Sequence, residues 1–210
     1  MHKPFHYFVL NKPVGMESQF VSPFPGDLLG DLSYPFPEGT HAIGRLDKNS
    51  EGLLLLTTNK KITSLLFQSD VPHKRTYLVQ VKHKVSQENL QRLNEGINIR
   101  IKGGATYRTP PCEVRLVKFE ELKFHSGANH KASLTTTWLT ITLTEGKFHQ
   151  VRKMVLAAGH RCMRLIRISI EEMELGDLPP GEIRVIDQEQ FFRKLNLDTS
   201  SLKTIEHTQG

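Results

Sequence analysis

The chain has 210 residues, 38% hydrophobic and 24% charged, a balance that excludes an intrinsically disordered protein and allows one large domain or two small lobes with a real core. Its formal charge of +6 points to a polyanionic partner. Two cysteines, Cys112 and Cys162, lie far apart and in no metal-ligand spacing, which excludes a disulfide framework and indicates a reducing compartment.

Near the N-terminus only Tyr7 to Leu10 is continuously apolar, too short for a signal peptide or a membrane span, so the cytoplasm is the expected location. Phe5 to Leu10 reads as a strand that runs into Asn11-Lys12-Pro13-Val14-Gly15, a turn expected to leave Lys12 exposed. Ser22 to Gly39, with four prolines, reads as a surface loop without assignable chemistry. His41 to Asn59, HAIGRLDKNSEGLLLLTTN, is the stretch around which the chain is organised. Leu53 to Thr58 is short and apolar between Gly52 and Asn59, which suits a buried strand better than a helix, although periodicity alone does not separate the two. Asp47 then sits in a loop feeding a rigid element, where a carboxylate is both exposed and held still. The plain alternative is an Asp that closes a turn, the commoner fate of a loop Asp. A calcium loop beginning at Asp47 fails, because its twelfth position is Thr58 instead of a bidentate Glu and a strand follows instead of a helix.

Asn59 can cap a short helix with Ile62, Leu65 and Leu66 on one face. Arg75 to His83 alternates as a strand, with Tyr77, Val79 and Val81 on one face. Ser86 to Glu95 is a short amphipathic helix ended by Gly96, and Ile97 to Val117 is hairpin material turning at Gly103-Gly104. Lys123 to Leu134 reads as a polar insertion, and Thr137 to Thr144 as a strand. The chain is polar after Leu197, so residues 1–197 are expected to form the domain and 198–210 a frayed tail.

Gly146 to Ile170 carries six Lys or Arg and no Asp or Glu, and the rest of the chain sums to zero. Phe148, Val151, Met154, Val155 and Ala158 fall on one helical face, with Lys147, His149 and Lys153 off it and Arg152 at its edge. Gly159 ends the helix, and Arg161, Met163, Leu165 and Arg167 alternate along a following strand. A solvated basic face is the plain reading of such a run. The absence of interspersed acids favours phosphate binding instead.

Five motifs in order, covering roughly residues 5 to 190, resemble the RsuA-type pseudouridine synthases that modify ribosomal RNA. They are Asn11-Lys12-Pro13-x-Gly15; Gly44-Arg45-Leu46-Asp47 with Ser50-x-Gly52-Leu53-Leu54-Leu55-Leu56-Thr57; Lys74-Arg75-Thr76-Tyr77-x-Val79; Glu145-Gly146-Lys147-x-His149-Gln150-Val151-Arg152-Lys153-Met154; and Arg164-Leu165-x-Arg167. Asp-x-x-Ser-Glu-Gly is closest to the branch acting on large-subunit (23S) rRNA. The family often has Thr where Ser50 stands, and many members carry an N-terminal S4-type RNA-binding domain, which is not expected in this chain because its first motif begins at Asn11.

The resemblance implies an α+β fold: a mixed, largely antiparallel sheet in two lobes with a central basic cleft. It implies isomerisation of a uridine in rRNA, or in an assembling large subunit, by a monomer that needs no cofactor and no metal. Asp47 would be the nucleophile, at either ribose C1′ or uracil C6. Arg152 would pair with it and lower its pKa by roughly 1–3 units. Tyr77 would stack on the uracil and take part in late C5 proton removal, a demanding role for a phenol, with a core tyrosine as the competing reading. Leu165 would pack on the target base and Arg45 would bind the flipped nucleotide's backbone or order the loop, while Lys12, Lys147, His149, Lys153, Arg164 and Arg167 would hold substrate. Reaching the base requires its extrusion from the RNA stack. Two other classes compete. A non-catalytic rRNA-binding or ribosome-assembly protein would explain the charge but not Asp47, Tyr77 and Arg152 together. A base glycosylase would more often show a second carboxylate or a metal cluster.

Overall fold

The computed structural model describes residues 4–67, 71–118, 121 and 135–198. The expected insertion at 123–134 and the tail beyond residue 198 lie outside the described residues. The elements run β1 (Tyr7–Lys12), β2 (His41–Ile43), β3 (Glu51–Thr57), α1 (Ile62–Phe67), β4 (Arg75–Lys82), α2 (Gln87–Asn94), β5 (Asn98–Arg100), β6 (Thr106–Arg108), β7 (Glu113–Val117), β8 (Thr136–Leu143), α3 (Gln150–Ala157), β9 (Cys162–Ile170), β10 (Met173–Glu174), β11 (Ile183–Ile186) and α4 (Gln188–Lys194).

One sheet organises them, in the order β11-β1-β3-β9-β4-β8-β7, with β2 added to β3 and β10 to β9. Its pairings are antiparallel except β3 with β9. The α+β class read from the sequence is therefore the observed one. The four leucines of β3 are fully buried because the strand is covered on both faces. Leu53 and Leu55 pack with Tyr7, Phe191 and Phe192, and Leu54 and Leu56 with Phe8, Leu10 and Leu29. A third core joins β4 and β8 to α2 and α3 through Val79, Leu93, Leu139, Val151 and Met154.

The two halves of the sheet meet at a fork. β9 pairs with β3 along the ladder only at Glu51↔Ile166 and Gly52↔Arg167, after which β2 takes over the same edge through Ile43↔Leu55, Ala42↔Leu56 and His41↔Thr57. The loop joining β2 to β3 therefore fills the split between the halves. Gly52 makes the fork possible. Its φ is +98°, and a Cβ there would overlap the Arg167 carbonyl oxygen.

Several expectations change. Lys12 is not exposed: as the last residue of β1 it is fully buried, and its Nζ donates to the Pro13 oxygen at 2.8 Å, the Met16 oxygen at 2.7 Å and the Lys48 oxygen at 3.4 Å. Burial pulls its pKa down to about 8. Phe148 does not join the apolar face of a helix. His149 adopts a left-handed conformation (φ 55°), the helix begins only at Gln150, and Phe148 is 71% exposed. The β9 alternation breaks where its register on β4 skips Met163 and Ile168, so Met163 is exposed while Leu165 and Arg167 are buried. The hairpin is confined to β5 and β6, and β7 leaves it to pair with β8. The proline-rich loop does more than wrap the surface. Its Tyr34 and Phe36 rings stand edge-on to Phe8, both at 5.7 Å, covering the face of β1 and β3 that carries Phe8, Leu54 and Leu56.

Candidate active site

A cleft of about 210 Å³ opens at the fork, walled by Arg45, Asp47, Tyr77, Phe148, His149 and Leu165. The loop bearing Asp47 is fixed along its whole backbone. The Leu46 N–H donates to the Ser18 hydroxyl at 3.0 Å, and that hydroxyl donates to the Leu46 oxygen at 2.8 Å. The Ser50 N–H donates to the Asp47 oxygen at 2.9 Å, and Lys12 holds the Lys48 oxygen. Arg152 Nη2 donates to the Asn49 oxygen at 2.6 Å and to Ser50 Oγ at 3.3 Å. The Asp47 side chain keeps 35% of its surface open, with His149 Nε2 at 3.5 Å from its Oδ2. A fixed backbone with a free carboxylate is the arrangement an attacking group requires, since no reorganisation is left for the moment of reaction.

The expected pairing of Arg152 with the Asp47 carboxylate is not what the structure shows: Arg152 grips the backbone and Ser50 hydroxyl of the loop that carries Asp47, and the basic group beside the carboxylate is His149. Nη2 holds the loop while Nη1 donates to Cys162 Sγ at 3.6 Å, a two-armed planar grip that lysine cannot reproduce. Arg152→Lys is therefore expected to lower the single-turnover rate at saturating enzyme at least tenfold, about 1.4 kcal/mol of barrier, with little change in RNA binding. A normal rate with weakened binding would make Arg152 a phosphate contact instead.

Tyr77 and Leu165 come from neighbouring strands and form the opposite wall. Tyr77 packs against two of the three cores and still lines the cleft, so it is both a core tyrosine and a site residue. Arg167 is buried behind it, its Nε donating to the Leu53 oxygen at 2.8 Å. Burial pushes the Arg167 pKa down, and the neighbouring Tyr77 phenol acts in the opposite sense. Arg164 is held by Glu51 through two hydrogen bonds of 2.6 and 2.7 Å. Of the basic groups expected to hold substrate, Arg45, Lys147 and His149 line the cleft, and Lys153 stands at its rim beside Phe148. Lys12, Arg164 and Arg167 instead brace the fork and its loops from behind.

Sequence reading missed the groups that shape the rim. Glu145 accepts from the Tyr107 hydroxyl at 2.6 Å and from the Gln150 amide, and Gln150 Oε1 accepts from the Lys147 N–H at 2.8 Å. The Tyr107–Glu145 bond joins residues 38 apart in the chain, and the two local bonds span the non-helical turn that leads into α3, so no periodicity announces them. The signal for Phe148 was present as an aromatic interleaved in a basic run. Among the described residues no three His, Cys, Asp or Glu come together to hold a metal ion, and no helix is long and apolar enough to cross a membrane.

A carboxylate held open in a basic cleft, facing a tyrosine and a leucine, is a site built for chemistry on a planar ring displayed by a polyanion. Residues 6–157 match the family model described as RNA pseudouridylate synthase, and the chain belongs to that family. It is 34% identical over 180 residues to ribosomal large subunit pseudouridine synthase E of Vibrio parahaemolyticus, covering 85% of this chain and 72% of the relative. It is 35% identical over 183 residues to the protein of the same name in Xanthomonas campestris, covering 85% of this chain and 94% of the relative. Ribosomal small subunit pseudouridine synthase A of Yersinia pestis is 28% identical over 186 residues, covering 88% of this chain and 71% of the relative. Among solved structures, a pseudouridylate synthase crystal structure superposes with a TM-score of 0.72 at 26% identity, over 92% of this chain and 75% of the other. The resemblance read from five motifs is borne out at the level of family and fold.

Proposed function

We propose that this protein isomerises a specific uridine of large-subunit ribosomal RNA to pseudouridine in the cytoplasm, as a monomer, with Asp47 as the nucleophile. The observation that carries the reading is Asp47 itself: a loop fixed by Ser18, Lys12 and Arg152 presents a carboxylate left partly open to the cleft. Large-subunit rRNA is favoured by the names of the Vibrio and Xanthomonas relatives. A purely RNA-binding module would need the positive charge but not this loop.

The reaction balances within the nucleotide. Asp47 bonds ribose C1′ or uracil C6, the N1–C1′ bond breaks, the base turns, C5 bonds C1′, and the bond to Asp47 breaks to return the free carboxylate, displaced by C5 in the first case and eliminated from C6 in the second; the C5 proton leaves while N1 regains one. Tyr77 stacks on the uracil and Leu165 packs against it, both from the wall facing Asp47, and Tyr77 takes part in C5 proton removal. Arg45, exposed in the cleft two residues from Asp47, takes the backbone of the extruded nucleotide. Incubation with unmodified large-subunit rRNA should give a mass-silent product and no free uracil, and mapping should place it at one uridine. Free uracil would mean a glycosylase; product in small-subunit rRNA alone would reassign the substrate.

The salt dependence tests the basic rim. Log affinity should fall linearly with log salt, and Lys153→Ala or Arg161→Ala should each flatten that slope by about one unit if each meets one phosphate. Unchanged slopes for both would place the RNA elsewhere.

A further inference from the structure

Phe148 is the large apolar side chain most at odds with its surroundings. It lines the cleft, is 71% exposed, and lies in the stretch richest in positive charge. Its exposure is built into the segment. Glu145, Gln150 and the Lys147 N–H tie the chain on either side, and His149 turns it through a left-handed conformation that a residue with a Cβ rarely adopts. The turn brings the Phe148 ring face to face with the His149 imidazole, with centroids 3.8 Å apart and planes 19° apart. That imidazole in turn lies 3.5 Å from the Asp47 carboxylate, so two stacked rings lead outward from the reacting position to the rim. Lys153 Nζ stands 5.3 Å from the Phe148 ring centroid, a cation over an aromatic face at the edge of solvent.

We propose that Phe148 is a substrate-positioning residue: its ring stacks on the base of an RNA nucleotide flanking the extruded uridine, while Lys153 moves off the ring to that nucleotide's phosphate. This rests on the proposed reaction at Asp47. The physical case is that an aromatic platform with an adjacent cation is the device by which proteins hold single-stranded bases, because every base offers a π-face and every nucleotide a phosphate. Extruding the uridine also unstacks its neighbour, and Phe148 offers that neighbour a replacement surface one ring away from His149.

The test uses the full chain, an oligouridylate of about twelve nucleotides and an abasic ribose-phosphate strand of the same length, which presents the same phosphates without bases. Phe148→Ala is expected to bind oligouridylate about tenfold more weakly than the parent and the abasic strand equally well, so that the loss belongs to the bases. Phe148→Trp should keep the parent affinity, and its fluorescence should be quenched by oligouridylate and not by the abasic strand; the native Trp138 is buried and gives the constant background. On unmodified large-subunit rRNA, Phe148→Ala should raise the RNA concentration needed for half-maximal rate about tenfold and leave the saturated single-turnover rate within about threefold. Equal losses on both strands would make Phe148 a structural residue and overturn the proposal, as would an unchanged affinity for oligouridylate or an unquenched tryptophan. If Phe148→Trp is quenched while the parent forms no pseudouridine in rRNA, the stacking platform stands and the assigned reaction fails.

Discussion

Asp47→Asn is expected to form no detectable pseudouridine in rRNA, a loss of at least about a thousandfold, with RNA affinity within a few-fold of the parent. The amide has the same shape and can still contact His149 across the 3.5 Å gap. None of the bonds that fix the loop use the carboxylate: Ser18 holds the backbone of Leu46, Lys12 that of Lys48, and Arg152 the Asn49 oxygen and Ser50 hydroxyl. The substitution therefore removes the anionic nucleophile and leaves the cleft in place. Mass analysis of the variant must exclude deamidation back to aspartate. Substantial residual turnover in verified protein would remove Asp47 from its role.

Gly52→Ala should lower the melting temperature by roughly 10 °C, from a cost of about 3 kcal/mol or more. Two effects add. The φ of +98° is strained for any residue with a Cβ, and the new methyl carbon would lie 2.8 Å from Ile166 Cγ2 and 2.9 Å from the Arg167 nitrogen, besides overlapping the Arg167 carbonyl. The neighbours in closest conflict are backbone atoms of β9, so relief requires prising the parallel contact apart. Gly159→Ala is the control, because its φ of +88° carries similar strain but a Cβ there meets nothing within 4 Å. It should cost only about 1 kcal/mol. Equal falls in melting temperature for the two variants would show that the fork tolerates a side chain. The folded remainder of Gly52→Ala should also lose activity, since the fork sets the distance between the Asp47 loop and the wall made by Leu165.

The sequence by itself determined the family, the α+β class, and the stretch that bears the chemistry. Those signals are local. Asp47 is legible because glycine, loop residues and a leucine run stand next to one another in the chain, and the leucines mark a strand covered on both faces. The basic stretch is legible because its charge is contiguous. The fate of each basic side chain is not local. Lys12 and Arg167 look alike in sequence to groups that meet solvent, yet both are buried, one closing on three carbonyl oxygens and the other on the Leu53 oxygen. Arg164 meets Glu51 only because β9 lies beside the start of β3. Phe148 fits a helical period in sequence, but His149 turns the backbone before the helix begins, and only the folded chain lifts that ring to the rim. Periodicity and charge counting describe neighbours along the chain, whereas burial and hydrogen bonding of a long side chain depend on partners more than a hundred residues away, such as Glu51 for Arg164 and Leu53 for Arg167. The tertiary structure alone decided which cations brace the fork and which remain free to face the RNA.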